Sequence, residues 1–563
     1  MKISASQYFG REFGALGCNI MKIMHKYMKF LLGGVMVAIT GTIALADPLT
    51  SLTTVTSVGF SPPMNVNSLM PVVNNDSSAN AQIVTFMFRP LLWIGTNLQV
   101  DWRKSIAQSI KISPDRRHFM IHLKPWQWSD GRSVTSRDVL ACLRMIQQFG
   151  PRYANRGMGG MPEIIENAFV SNPTTLQINL KHPVNPLWFE LNGLSQLMPV
   201  PAWRWGGYRI DALFKHQDDP GLVSVVDGPY RLRRFIPGRY IDFVANPRYS
   251  GSPPVLRNLR FQMATSSAGA FWALKSGIIQ VGMVPHYLYD ARWTVHDLQS
   301  CVSNGGYGFN YVTLNFTNPK VAFLRDVKVR QALELAINQP QIIGMAFHGM
   351  GVPSFNPVPT NPNTYLSPRM KALVADPSRA YDPQKADRLL SAAGWHRGPD
   401  GVRVHDGRKL IFTMIVPDIS QTLVAVGELL KADWRRVGVD MRMRILPFNL
   451  ELAKLHPHGT WDAAMIVWSY DPDYYPSGDG LFNTGGGSNY GNYSDQKMNR
   501  LIVRSADDKG VHALYEYEHY AADQVPVLFL PYPEYLVKYA PTITPAQLDE
   551  SLYSVSCRPL AVR

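Results

Sequence analysis

Two periods of apolar and polar positions take turns along the chain. Residues 118–124, HFMIHLK, alternate polar and apolar groups with period two, the pattern of a half-buried strand. After the turn Ser129-Asp130-Gly131, Thr135 stands three residues before Asp138, a spacing that lets each satisfy the other at a helix start. The helix so opened carries Val139, Cys142, Leu143 and Ile146 on one face. Asp326 caps a second helix with the stripe Val329, Ala332, Leu333, Ala336 and Ile337. Asp382-Pro383 puts Asp at the cap and Pro at the first helical position of a third, which buries Ala386, Leu389, Leu390 and Ala393 and stops at Gly394. Residues 421–436 form another amphipathic helix, followed by a strand over 439–445. Ala463 to Trp468 (AAMIVW) is an unbroken apolar run, as expected of a strand covered on both faces. Short strands alternating with amphipathic helices, without a repeat or heptad, predict an α/β architecture.

The length of 563 residues implies two or three compact units. Apolar residues reach 46% and charged ones 17%, below the usual ~25%, so a large core is affordable and extensive disorder is excluded. With 13 Trp and 25 Tyr, aromatics remain for a binding surface.

From Met21 the chain reads as an export signal. Lys22, Lys26 and Lys29 form a basic region, Phe30 to Ile43 is apolar, and Ala44 and Ala46 supply the small residues a signal peptidase needs. Cleavage is expected between Ala46 and Asp47, with Met21 as the initiator; the apolar stretch is short for a span of about 20 residues. The mature chain then holds 51 Lys and Arg against 41 Asp and Glu, a net charge of +10. These cations are dispersed, which speaks against nucleic acid as a partner. Cys142, Cys301 and Cys557 fit no metal or redox spacing. Cys142 is expected to be a core thiol, and an oxidising compartment permits a bridge between Cys301 and Cys557.

Five segments in order resemble the peptide/nickel class of bacterial extracellular solute-binding proteins, the dipeptide- and oligopeptide-binding components of ABC importers. They are residues 112–146, with HLKPWQWSDGRSVTSRDV; 226–251, VDGPYRLRRFIPGRYIDFVANPRYSG; 324–337, LRDVKVRQALELAI; 381–395, YDPQKADRLLSAAGW; and 461–494, with WSYDPDYYP and NYGNYSD. Together they span nearly the whole mature chain. Two departures stand out: Ile279-Gln280 replaces the family's acidic pair, and Lys328 replaces a commoner Arg.

The resemblance implies an α/β, two-lobed periplasmic-binding-protein-like fold (type II cluster) with an additional subdomain and mixed β-sheets flanked by helices. The expected division is 1–46 as N-terminal extension and signal peptide; 47–85, 205–300 and 525–563 as the first lobe; 86–204 as the extra subdomain; and 301–524 as the second lobe. The implied function is a periplasmic receptor, acting as a monomer, that takes di- or oligopeptides in the interlobe cleft and delivers them to an inner-membrane ABC permease. A nickel complex or oligosaccharide is the alternative solute. No cofactor and no chemistry are implied. An exported hydrolase, the competing class, has no G-x-S-x-G, H-E-x-x-H, S-x-x-K or P-loop motif in its favour.

A buried ammonium needs a carboxylate partner. The family's Asp that holds a peptide α-amine corresponds to Asp471, walled by Trp468 and Tyr470, with Asp473 a competitor and an Asp-Pro turn the structural alternative. The Gly-rich loop ending in Asn489 and Tyr490 either lets backbone approach a ligand or is a surface loop. Asn74 and Asn75, beside Asp76, lie where a first lobe offers an edge to an extended peptide. His456-Pro457-His458 is too small a set for a metal site, so none is expected.

Overall fold

The helix caps read from the sequence are in place. The computed structural model describes residues 55–56, 66–71, 78–153, 155–254, 256–303, 307–455, 459–469, 475–544 and 557–559. Thr135 N donates to Asp138 Oδ2 at 2.8 Å and opens the helix Ser136–Phe149. Asp326 accepts from Lys328 N at 2.9 Å to start Val327–Leu335, and Asp382 from Lys385 N at 2.7 Å to start Pro383–Ala392. The expected stripe through Ile337 is buried throughout, but its helix ends at Leu335, and Asn338 caps a separate helix, Gln339–Ala346.

Among the described residues, four sheets of four or five strands organise the chain, beside two smaller ones. Val55–Thr56, Asn258–Gln262, Tyr240–Ala245 and Tyr230–Ile236 form the first; Cys557–Pro559, Gln299–Ser303, Leu536–Tyr539 and Val281–Val284 form the second. The third, antiparallel, runs in the order Ala107–Ile112, His118–Leu123, Thr175–Leu180, Ile165–Asn172, with Ser136–Phe149 packed against it. The fourth is a mixed sheet in the order Asp440–Leu446, Ile411–Pro417, Ala463–Ser469, Gly308–Leu314, Val527–Leu530. Val527–Leu530 closes this sheet as an edge strand, antiparallel to Gly308–Leu314.

The chain following the helix Ser78–Met87 is fitted closely against the turn before the strand Tyr230–Ile236. Arg89 N donates to Asp227 Oδ1 at 3.1 Å, and Trp126 Nε1 to Asp227 O at 3.0 Å. At Gly228 a Cβ would stand 2.5 Å from the Met87 carbonyl carbon, so only glycine lets the two main chains touch.

Cys142 is buried as a free thiol, pushed up to about 12 by desolvation. Cys301 is disulfide-bonded. The side chain of Cys557, its expected partner, lies outside the described residues; its backbone pairs opposite Ser303. Among the described residues no helix is long and apolar enough to cross a membrane.

Candidate functional site

The mixed sheet sets the site because its two faces differ. Side chains alternate across a strand, so Val312, Leu314, Ala463, Met465, Met414 and Val416 pack into a core beneath the helices Gln421–Arg436 and Val327–Leu335. Phe309, Tyr311, Ala464 and Ile466 point the other way, into the second large core, which also holds Phe119, Trp126 and Tyr230. In the antiparallel register Trp468 stands opposite Phe309 and Ile466 opposite Tyr311. Trp468, half-buried, thus closes an aromatic file at the end of its strand.

That end of the sheet is also where the chain passes to and from the sheet that holds Gln299–Ser303 and Leu536–Tyr539. One crossing runs from Gln299–Ser303 to Gly308–Leu314, and the return runs from Val527–Leu530 to Leu536–Tyr539. The crossings are tied to each other. Ser303 N donates to Tyr535 O and Tyr535 N to Ser303 Oγ, both at 2.8 Å, while Asn310 Nδ2 donates to Pro531 O at 3.2 Å.

Immediately after the candidate segment, Tyr475 is fixed by Asn185 and Asn192. Asn192 Oδ1 accepts from Tyr475 N at 2.8 Å and Asn192 Nδ2 donates to Tyr475 O at 2.9 Å. Asn185 Nδ2 donates to Tyr475 Oη at 3.1 Å and to Gly510 O at 2.8 Å, and Tyr475 Oη donates to Gly510 O at 3.1 Å. Trp188 Nε1 donates to Asp479 at 2.7 Å; burial nonetheless pushes that carboxyl up to about 6. Asn185, Trp188 and Asn192 come from one short helical stretch, and all are buried.

Of the residues singled out from sequence, Tyr470, Asp471, Asp473, Asn74 and Asn75 lie outside the described residues, as does the pair His456 and His458. The structure brings Trp468 and Tyr490 to the edge of the same core. Asn489 serves the loop: Nδ2 donates to Asn483 O and Tyr493 O, each at 2.8 Å, and Oδ1 accepts from Tyr493 N at 2.9 Å. Gly491 lies flat on the Leu314 carbonyl, where a Cβ has no room, and Phe316 N donates to Gly491 O at 2.9 Å. The Gly-rich loop is therefore packed on the end of the strand Gly308–Leu314 and holds Tyr490 in place.

Sequence reasoning missed Glu451, which is fully buried on the short helix Phe448–Leu455 beside this face. Desolvation pushes its carboxyl up to about 8, and it acts electrostatically on Tyr311 and Tyr490. The available signal was an acid four residues before Leu455, in the apolar stripe of its helix.

The comparisons with known proteins agree with this architecture. Residues 101–492 match the family described as bacterial extracellular solute-binding proteins, family 5 middle. A putative ABC transporter peptide-binding protein of Brucella ovis is 29% identical over 322 residues, 56% of this chain and 56% of the relative; the chain thus spans about half the length of that relative. The oligopeptide-binding protein AppA of Bacillus subtilis is 22% identical over 448 residues, 78% of this chain and 79% of AppA. The solved structure of AppA with a nonapeptide superposes with a TM-score of 0.66 at 20% identity, covering 87% of this chain and 94% of AppA. NikZ of Campylobacter jejuni in complex with Ni(L-His) gives 0.69 at 20% identity, over 88% and 95% of the two chains. At that identity the structural likeness carries the fold, two lobes with mixed sheets and helices, while the family match carries membership. This chain belongs to the bacterial extracellular solute-binding proteins of family 5, which bind solutes and are not enzymes.

Proposed function

We propose that the protein is the exported substrate-binding component of an ABC importer and that it captures di- or oligopeptides between its lobes for an inner-membrane permease. The observation that carries this reading is the pair of chain crossings tied together at Ser303 and Tyr535, close to the end of the sheet where Trp468 stands opposite Phe309, which supports reading that pair as an aromatic wall of the binding cleft. The names of the Brucella and Bacillus relatives favour a peptide over other solutes. In this reading Trp468, Tyr470 and Tyr490 wall the site, and Asp471, or Asp473 beside it, receives the α-amine. Asn489 holds the loop that carries Tyr490, and Asn74 and Asn75 lie along an extended peptide. Export removes residues 1–46, releasing a periplasmic monomer that begins at Asp47.

A second reading keeps the receptor role and changes the solute to a nickel complex; the fold shared with NikZ in complex with Ni(L-His) favours it. Peptide uptake by a strain lacking the gene separates the two. Loss of labelled peptide accumulation, restored by the wild-type gene, is the expected result. Unchanged peptide uptake with lost nickel uptake selects the second reading, and unchanged uptake of both sinks the importer role. N-terminal sequencing of the exported protein is expected to begin at Asp47.

A further inference from the structure

Among the described residues, every buried acid is held by a hydrogen-bond donor except one. Asp138 accepts from Thr135 N at 2.8 Å, Asp227 from Arg89 N at 3.1 Å and Asp433 from Asn338 N at 3.0 Å. Asp462 accepts from Thr413 N at 2.9 Å, Glu518 from Ser367 N at 3.2 Å and Glu534 from Asn361 Nδ2 at 3.1 Å. Glu451 is 0% exposed and neither carboxyl oxygen has a partner. The Tyr311 hydroxyl, also buried, has none either. A native fold rarely leaves such groups unpaired, and two in electrostatic reach of each other on one sheet face need a common explanation.

The surroundings say what would satisfy them. The helix Phe448–Leu455 lies beside the strand Ile411–Pro417 and sends Leu452 and Leu455 into the core that holds Phe309, Tyr311, Ile466, Trp468 and Tyr490. Glu451 therefore sits behind the aromatic wall of the candidate site, with Tyr311 and Tyr490 as its titratable neighbours. A buried carboxylate without a donor, in electrostatic reach of two tyrosines, is complementary to an ammonium group, which supplies N–H donors and the opposite charge. We propose that Glu451, flanked by Tyr311 and Tyr490, is a subsite for a positively charged amine carried by the solute. The proposal rests on the reading that the solute is held against the Trp468 face, and it adds a charge class to that solute.

Desolvation holds the empty carboxyl protonated near neutral pH, so an incoming ammonium displaces the acid proton to solvent. Isothermal titration calorimetry on the full protein with three probes tests the subsite: Ala-Lys-Ala, its Nε-acetyl analogue, and spermidine. The expected result is that the free amine binds at least tenfold tighter than the acetylated peptide, and that Glu451→Gln brings the ratio close to one. A ratio unchanged in Glu451→Gln overturns the subsite and leaves the peptide reading standing. Glu451-dependent binding of spermidine without any peptide binding supports the subsite and overturns the peptide reading. No amine-dependent binding across the panel overturns the subsite. If Glu451→Gln does not fold, titrating wild type in buffers of different ionisation enthalpy decides the matter. Close to one proton released at pH 7 by the amine and none by the acetylated peptide is expected, and equal release overturns the proposal.

Discussion

Replacing Asn192 with alanine removes both hydrogen bonds that clamp the main chain at Tyr475, the first described residue after the candidate segment. Asn192 is fully buried, and its amide serves Tyr475 N at 2.8 Å and Tyr475 O at 2.9 Å. The substitution leaves a buried N–H and a buried C=O unpaired, each costing roughly 1–3 kcal/mol. Water entering the space left by the shorter side chain recovers part of this, so about 2–4 kcal/mol of local stability is expected to be lost. At 1.4 kcal/mol per factor of ten, the Tyr475 amide should exchange about 30-fold to several hundred-fold faster in Asn192→Ala. Hydrogen exchange read by mass spectrometry on the peptide containing Tyr475 measures this directly. The helix Gln421–Arg436, in the other core, serves as an internal control expected not to change. Ligand affinity should fall about tenfold, because a binding segment released from its anchor must be re-ordered on binding. Exchange at Tyr475 within threefold of wild type would refute the reasoning and leave the asparagine a packing residue only.

Three further outcomes follow from the same structure. His286 is buried, its ring is held near pKa 4 by desolvation, and its Nε2 donates to Glu534 O at 2.8 Å. Its folded value lies below its unfolded one, so the neutral ring's contribution is present above pH ~6.5 and is lost as pH falls toward 4. Urea denaturation of wild type and His286→Gln should show up to about 3 kcal/mol of that acid-side loss in wild type and absent from the variant; equal pH slopes would contradict it. Gly228→Ala drives a methyl group into the Met87 main chain and should lower stability by about 1–3 kcal/mol, seen as a reduced denaturation midpoint. The Cys142 thiol, buried and pushed up to about 12, should resist iodoacetamide in the native protein and react once unfolded, as peptide mapping will show.

Much of the fold was legible because its signals are local. Asp326, Asp382 and Thr135 announce their helices within three residues, and the apolar run at Ala463 announces a buried strand. Sheet membership is a different matter: Val527–Leu530 joins Gly308–Leu314 across more than two hundred positions, and strand periodicity says nothing about which neighbour a strand finds. The site divides in the same way. Trp468 and Tyr490 could be named because a family pattern surrounds them, whereas Asn192 and Tyr475 meet from 283 residues apart. Glu451 stands in the apolar stripe of its helix, but only the fold shows that no donor reaches it there. The assignment of Asn489 illustrates the converse, since an amide suited to a ligand is also suited to closing its own loop.

Native mass spectrometry of protein purified without refolding, before and after mild denaturation, addresses the central claim most directly. The expected result is a family of short peptides released intact on denaturation and depleted in Asp471→Ala. Release of a sugar or a metal complex in their place would contradict peptide capture, and with it the amine-holding role of Asp471.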